Sequence, residues 1–410
     1  MQRWIARAYG GFLVPDKRWI ALALIFLARL ALAFQFQSVG SVAPFLVHDF
    51  GIGFVQVGSL VGLYLLPGAF IAIPGGMVGR RFGDKRVVLG GLVLMIAGGF
   101  IAGAAPSYGY MVAGRLLSGV GACFINVLVA KMIADWFADK ELVFAMSINI
   151  IGRPLGIAAG QAIQAGIAES HSWQSVFYLT SAVLALCLLA MAALYRSPEG
   201  ATRPSGEKQD LGGRELWMVC LAGAVWMMVN AAYLVVITFG PTLLTERGVS
   251  ISSAAFTVSL MSWISLAALP LGAYLATRYR IADLLMVAGL VGCAVAVTAT
   301  PFALDAENLL FILVGSTFSL AMPVISALPA QLLAQQNRAL GFGIYYVWFY
   351  AGTPLLTAGG GWLKDRFGSA EFSVFYAAGL IVLALGLVVW IRYQQTRLPS
   401  GRRPEKAASI

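Results

Sequence analysis

Residues 152–160 read GRPLGIAAG, and residues 352–360 read GTPLLTAGG. Each stretch is followed, past a polar break, by the same tetrapeptide: Ser175-Val176-Phe177-Tyr178 after the first and Ser373-Val374-Phe375-Tyr376 after the second. One short match is chance. Two matches in the same order and at nearly the same interval mark an internal duplication. Both copies lie in long apolar runs, so the duplicated unit is one that spans a membrane.

The rest of the chain has the composition such a unit requires. Of its 410 residues, 60% are hydrophobic and 11% charged, where soluble domains carry about 25% charged residues. Apolar runs of roughly 20 residues, each enough to cross a ~30 Å hydrocarbon core, recur along it. Twelve spans fit: 19–47, 54–79, 87–105, 110–134, 143–167 and 174–195, then 216–244, 253–277, 284–303, 308–333, 340–363 and 372–392. A β-barrel is excluded, because its strands would be short and alternating. The only long polar connector, 196–215, carries Ser197-Pro198-Glu199-Gly200 and Arg203-Pro204-Ser205-Gly206 and reads as a linker. It separates an N-terminal bundle, 1–195, from a C-terminal bundle, 216–392, with a tail at 393–410. The predicted fold class is an all-α membrane protein with twelve transmembrane helices in two pseudo-symmetric six-helix bundles. Parallel repeats of this kind place a binding site between the halves, near mid-membrane.

The net charge of +10 would suit nucleic acid, but its distribution encodes topology instead. On this span map 22 of the 28 lysines and arginines fall on one side, among them Arg18, Lys85, Lys140, Arg196, Arg278 and Arg392. The other side holds Arg247, Lys364 and Arg366. That bias places both termini in the cytoplasm. No Asn-x-Ser/Thr acceptor occurs, as suits a bacterial inner membrane. Cys123, Cys187, Cys220 and Cys293 fall in spans without metal or redox spacing and read as packing. Neither a metal nor a cofactor is expected, and no nucleic acid.

Three cations remain, Arg29, Arg115 and Arg153, inside spans that hold no aspartate or glutamate. A cation in hydrocarbon is costly and is normally paired or functional, so the missing negative charge is expected to arrive with a ligand. Arg29 lies about ten residues into its span, roughly 15 Å deep, with Gln37 further along the same face. Its rigid fork of donors suits carboxylate or nitrate-like oxygens. Arg115 shares a face with Gly119, Ala122 and Asn126, about 8 Å from the span end, where it could also snorkel. Arg153 has Asn149 one turn before it, and could instead satisfy backbone groups that Pro154 frees. The second half offers Asn230 and Tyr233 in span seven. Span eleven adds Tyr345, Tyr346, Trp348, Phe349 and Thr353, a set that reads as cavity lining or as packing.

Between spans two and three the chain reads Gly76-Met77-Val78-Gly79-Arg80-Arg81-Phe82-Gly83-Asp84-Lys85-Arg86. This resembles the signature loop of the major facilitator superfamily, Gly-x-x-x-Asp-Arg-x-Gly-Arg-Arg, with Gly76, Arg81 and Gly83 on the family's positions. Arg80 replaces the family's acid, and Asp84 stands where a base is usual, before Arg86. The resemblance implies a cytoplasmic gate latched by that acid, and leaves Asp84 as the acid able to restore it. In span four, Arg115-x-x-x-Gly119-x-Gly121 resembles a second motif of the family. Arginines in spans one and four, with Trp136-Phe137-x-x-Lys140-Glu141, resemble its organic anion branches. Arg29 followed by Ser38-Val39-Gly40 resembles the cyanate and nitrate/nitrite type. Ala28 and Ala122 stand where some proton-coupled symporters carry carboxylates.

The expected function is secondary transport of a small organic or inorganic anion (carboxylate, cyanate or nitrate-like) by alternating access. Its partners would be that anion, a counter-anion or a proton, and the lipid bilayer, with a functional monomer. Two other readings share the fold: a multidrug or metabolite exporter, and a non-transporting sensor or accessory subunit. An enzyme is not expected, since no nucleophile, metal set or acid/base pair lies in the spans.

Overall fold

The computed structural model describes residues 17–137, 142–197, 212–302, 306–333 and 337–396, without the side chains of 72–77, 80, 142–144, 147, 338, 339 and 396. The surroundings of Gly76, the side chain of Arg80, the middle of the linker, Lys140, Glu141 and the C-terminal tail therefore lie outside what is described. Every regular element among the described residues is helical. They run α1 (Lys17–Ser41), α2 (Ala43–Phe50), α3 (Phe54–Leu63), α4 (Pro67–Phe82), α5 (Asp84–Gly103), α6 (Tyr108–Phe137), α7 (Leu142–Ser170) and α8 (Trp173–Leu194). The second half runs α9 (Gly213–Thr245), α10 (Ile251–Arg278), α11 (Ala282–Ala299), α12 (Glu307–Ser326), α13 (Leu328–Leu332), α14 (Arg338–Phe367) and α15 (Glu371–Thr396). With α3 and α4 taken as one crossing, and the short α2 and α13 left aside, these make twelve crossings. The face bearing Lys17 and Thr396 is the terminal face below, and the opposite one the far face.

Ten of the crossings are long and apolar enough to span a membrane by composition alone. The other two, α7 and α14, carry the duplicated sequence. Prolines break two predicted spans. Pro67 has no N–H and its ring would strike the carbonyl four residues back, so span two parts at residues 64–66 into α3 and α4. Pro44 does the same near Val42, ending α1 before the predicted boundary at 47.

The duplicated glycines explain why the bundles pack as they do. On α7, Gly152, Gly156 and Gly160 lie on one face and press against α1, where a Cβ at Gly156 would strike the Leu30 carbonyl. On α14, Gly352 and Gly360 press against Met227, Val235 and Phe239 of α9. Small residues one turn apart let two membrane helices approach to backbone contact, and α7–α1 and α14–α9 are the same joint in each half. The halves meet along two seams, α3 on α14 and α7 on α10. Gly58 and Gly62 of α3 abut the backbone of Thr357 and Pro354 there. Leu186 and Leu189 of α8, Val295 of α11 and Val389 of α15 are exposed; such apolar surface belongs in lipid.

Candidate functional site

Arg29 projects from α1 at the joint with α7. Gly152 makes room for its stem, since a Cβ there would come within 3.1 Å of Arg29 Cγ. Its Nη1 donates to Asn126 Oδ1 of α6, while its Nε is buried with no acceptor. Arg153 follows Gly152 on α7 and sets its guanidinium 5.7 Å from the centroid of Phe349 on α14. Arg29 and Arg153 are near enough to repel each other, and both feel the phenols of Tyr346 and Tyr350. Two cations of the first half thus face an aromatic wall of the second. Among the described residues no carboxylate pairs with either arginine.

This place is deep in the molecule yet reachable by solvent. Arg29 and Arg153 are half-buried, and Tyr346 is 40% exposed. Behind Tyr346, Trp226 of α9 stacks on Tyr345 at 5.4 Å between centroids, with its indole N–H unpaired. Asn149 Oδ1, one turn before Arg153, and Thr353 Oγ1 are also buried without partners. Two like charges held together in a medium of low dielectric raise the energy of the empty site. An anion with two oxygens relieves that repulsion and accepts from both guanidinia.

The structure divides the predicted residues into those at this place and those engaged elsewhere. Arg29, Asn126, Asn149 and Arg153 converge from α1, α6 and α7. Arg115 does not. Its Nε donates to the Leu60 carbonyl at 3.1 Å, Nη2 to the Phe36 carbonyl at 3.2 Å, and Nη1 to the Gln35 carbonyl at 3.4 Å and Ser38 Oγ at 3.5 Å. Tyr64 covers its other side, 4.5 Å from centroid to guanidinium. In place of the expected ligand contact, four of its five N–H groups tie α6 to α1 and α3. Gly119, in the same motif, admits the Tyr64 carbonyl where span two breaks.

Other predicted groups are likewise occupied. Asn230 Nδ2 donates to the Trp226 carbonyl at 2.8 Å, Tyr233 pairs with Ser262 at 2.7 Å, and Tyr345 donates to the Ile325 carbonyl at 3.1 Å. Of these, Tyr233 is still near enough to interact with Arg153. Gln37 is packed between Gly40 and Gly160. Trp348 packs over Gly223 of α9, and no contact places it beside the two arginines among the described residues. Tyr350, which the sequence reading passed over, faces both arginines instead. Helical spacing was the available signal, since 346, 350 and 353 share a face and 348 does not.

In the loop motif, Gly83 takes φ +86, a left-handed turn that glycine adopts without strain. Asp84 forms an ion pair with Lys131, which also contacts Asp135 at 3.2 Å. All three belong to the first half, so among the described residues Asp84 makes its ion pair within its own half, where the resemblance implied a latch on the gate. Lys85 instead caps the end of α8, donating to the carbonyls of Ala192 at 2.9 Å and Tyr195 at 2.7 Å. Arg81 and Arg86 are exposed.

Comparison with known proteins agrees with this architecture. The family model for the Major Facilitator Superfamily matches residues 25–231 and 216–409. The 3-(3-hydroxy-phenyl)propionate transporter of Escherichia coli (strain K12) is 28% identical over 389 residues, covering 91% of this chain and 93% of that protein. The MFS-type transporter pydD of an Acremonium species is 30% identical over 181 residues, about a third of its own length (32%). Among solved structures, a bacterial homolog to human lysosomal transporter Spinster, in an inward-facing and occupied conformation, superposes with TM-score 0.78 at 16% identity, over 93% of this chain and 98% of that one. A point mutant of the nucleoside transporter NupG superposes with TM-score 0.73 at 14% identity, over 92% and 98%. At these identities both show the fold alone.

Proposed function

Because the chain belongs to the Major Facilitator Superfamily and is therefore a secondary transporter by fold and family, we propose that its cargo is a small anion, with organic carboxylates foremost. The observation that carries this is the convergence of Arg29 and Arg153 without a carboxylate between them. A fixed acid would neutralise the pair and suit a cationic drug; its absence leaves that part to the cargo. The aromatic wall favours an acid carrying a ring, with Tyr346 placed to meet it. The Escherichia coli relative is named for a hydroxyphenyl propionate, an acid of this kind.

In this reading the units 1–195 and 216–392 rock about the bound anion, joined by 196–215. The charge bias supports cytoplasmic termini, and the missing Asn-x-Ser/Thr acceptor suits a bacterial inner membrane, in which the far face would be periplasmic. With no acid beside the arginines, anion exchange, facilitated diffusion, or a proton carried on the cargo fits better than a carboxylate proton switch.

Proteoliposomes test this directly. Uptake would be followed for labelled 3-phenylpropionate, acetate, nitrate and cyanate, in wild type and in Arg29→Gln. Saturable uptake of at least one anion, reduced about tenfold or more in the variant, is expected. No saturable uptake of any, or equal uptake by the variant, contradicts the proposal.

A further inference from the structure

Where the halves close at the far face, each lends a carboxylate to a helix start of the other. Asp365, near the end of α14, accepts from the first two N–H groups of α3: Oδ1 from Phe54 and Oδ2 from Val55, both at 2.8 Å. Across the other seam, Glu169 at the end of α7 accepts from the N–H of Ser252 in the first turn of α10 at 3.1 Å. The first N–H groups of a helix have no partner within it and carry its positive dipole end. A carboxylate therefore satisfies and neutralises them together.

The seat at α3 is shaped for this. A Cβ on Gly53 would lie 2.6 Å from Asp365 Oδ2, so glycine there admits the carboxylate. The neighbouring Lys364 lies 5.2 Å from the Phe54 ring centroid and is held by Glu246 at 2.5 Å. Glu169 and Asp365 are 196 residues apart, whereas the matched stretches of the repeat are 200 and 198 apart. The two acids are thus not copies of one ancestral residue, yet they make the same kind of contact on the two seams.

We propose that Asp365 and Glu169 form the latch that holds the far face shut. Both side chains are at the exposed surface, so water can replace the contacts when they part, and the latch releases without stranding a buried charge. On the terminal face Asp84 is engaged within its own half, and Arg80 stands where the loop motif's acid would be. With this pair of contacts on the far side, the empty transporter rests with that side closed. The latch acts on the gate and needs no cargo.

The test is a spin-label distance measurement on the full chain in lipid nanodiscs without ligand. Labels go on Ser107→Cys and Ala306→Cys, exposed far-face positions in opposite halves, with the four native cysteines changed to alanine. The latched protein should give a predominantly short distance. In Asp365→Asn combined with Glu169→Gln, the ratio of long to short distances should rise about tenfold or more, as loss of charge-assisted contacts implies. Glu169→Gln alone changes an exposed side chain, so it should fold and show part of the rise even if the double variant is not recovered. Unchanged distances in Glu169→Gln, or an equal opening in Asp84→Asn, overturn the assignment.

Discussion

Three arginines that look alike in the sequence have separate fates. Each sits in an apolar span with no acid, which marks it as costly and therefore purposeful. What the sequence cannot show is which way the guanidinium points. Arg115 finds carbonyls of α1 and α3 and is 1% exposed, whereas Arg29 and Arg153 remain in reach of solvent. Arg115→Gln should therefore lower stability by about 3 kcal/mol or more, from the loss of charged hydrogen bonds in a buried place. Thermal melting in detergent would register this as a clear drop. Arg29→Gln, which loses one bond to Asn126, should melt close to wild type. Equal melting of both variants would return Arg115 to the candidate site. Tyr350 was missed for a related reason: in a run of five aromatics, only the phase of the helix separates those that face the arginines from those that face a neighbour.

At the level of the helix, the glycines of the duplicated stretch were readable as a repeat before their purpose was. Their spacing shows a close-packed face, but only the structure shows that α7 uses it against α1 and α14 against α9. Gly156→Leu should press the Leu30 carbonyl and Ala33, a clash that backbone cannot yield to. The cost should be about 1–3 kcal/mol, with weaker anion uptake as Arg153 shifts from Arg29. Gly90→Leu is the control, since nothing lies within 4 Å of a Cβ there and its melting should hold. A Gly156→Leu protein that melts and transports like wild type would contradict the joint. The breaks at Pro44 and Pro67 were visible as prolines, yet the apolar runs pass through them unbroken, and hydropathy joined what the backbone separates.

For the whole molecule, the twelve crossings and their division into two bundles were legible because hydrocarbon imposes length and composition on every span. The site was legible in part: unpaired charge pointed to it, while the aromatic wall and the far-face contacts depend on how the halves meet, which no local pattern records. The central claim is that the cargo supplies the negative charge that Arg29 and Arg153 lack. It is tested most directly by equilibrium binding of 3-phenylpropionate and of its neutral isostere 3-phenylpropionamide to purified wild type, Arg29→Gln and Arg153→Gln. Saturable binding of the acid by wild type, at least about tenfold tighter than the amide and weakened by a similar factor in each variant, is the expected result. Equal affinity for acid and amide, or unaltered acid binding when either arginine is replaced, would contradict it.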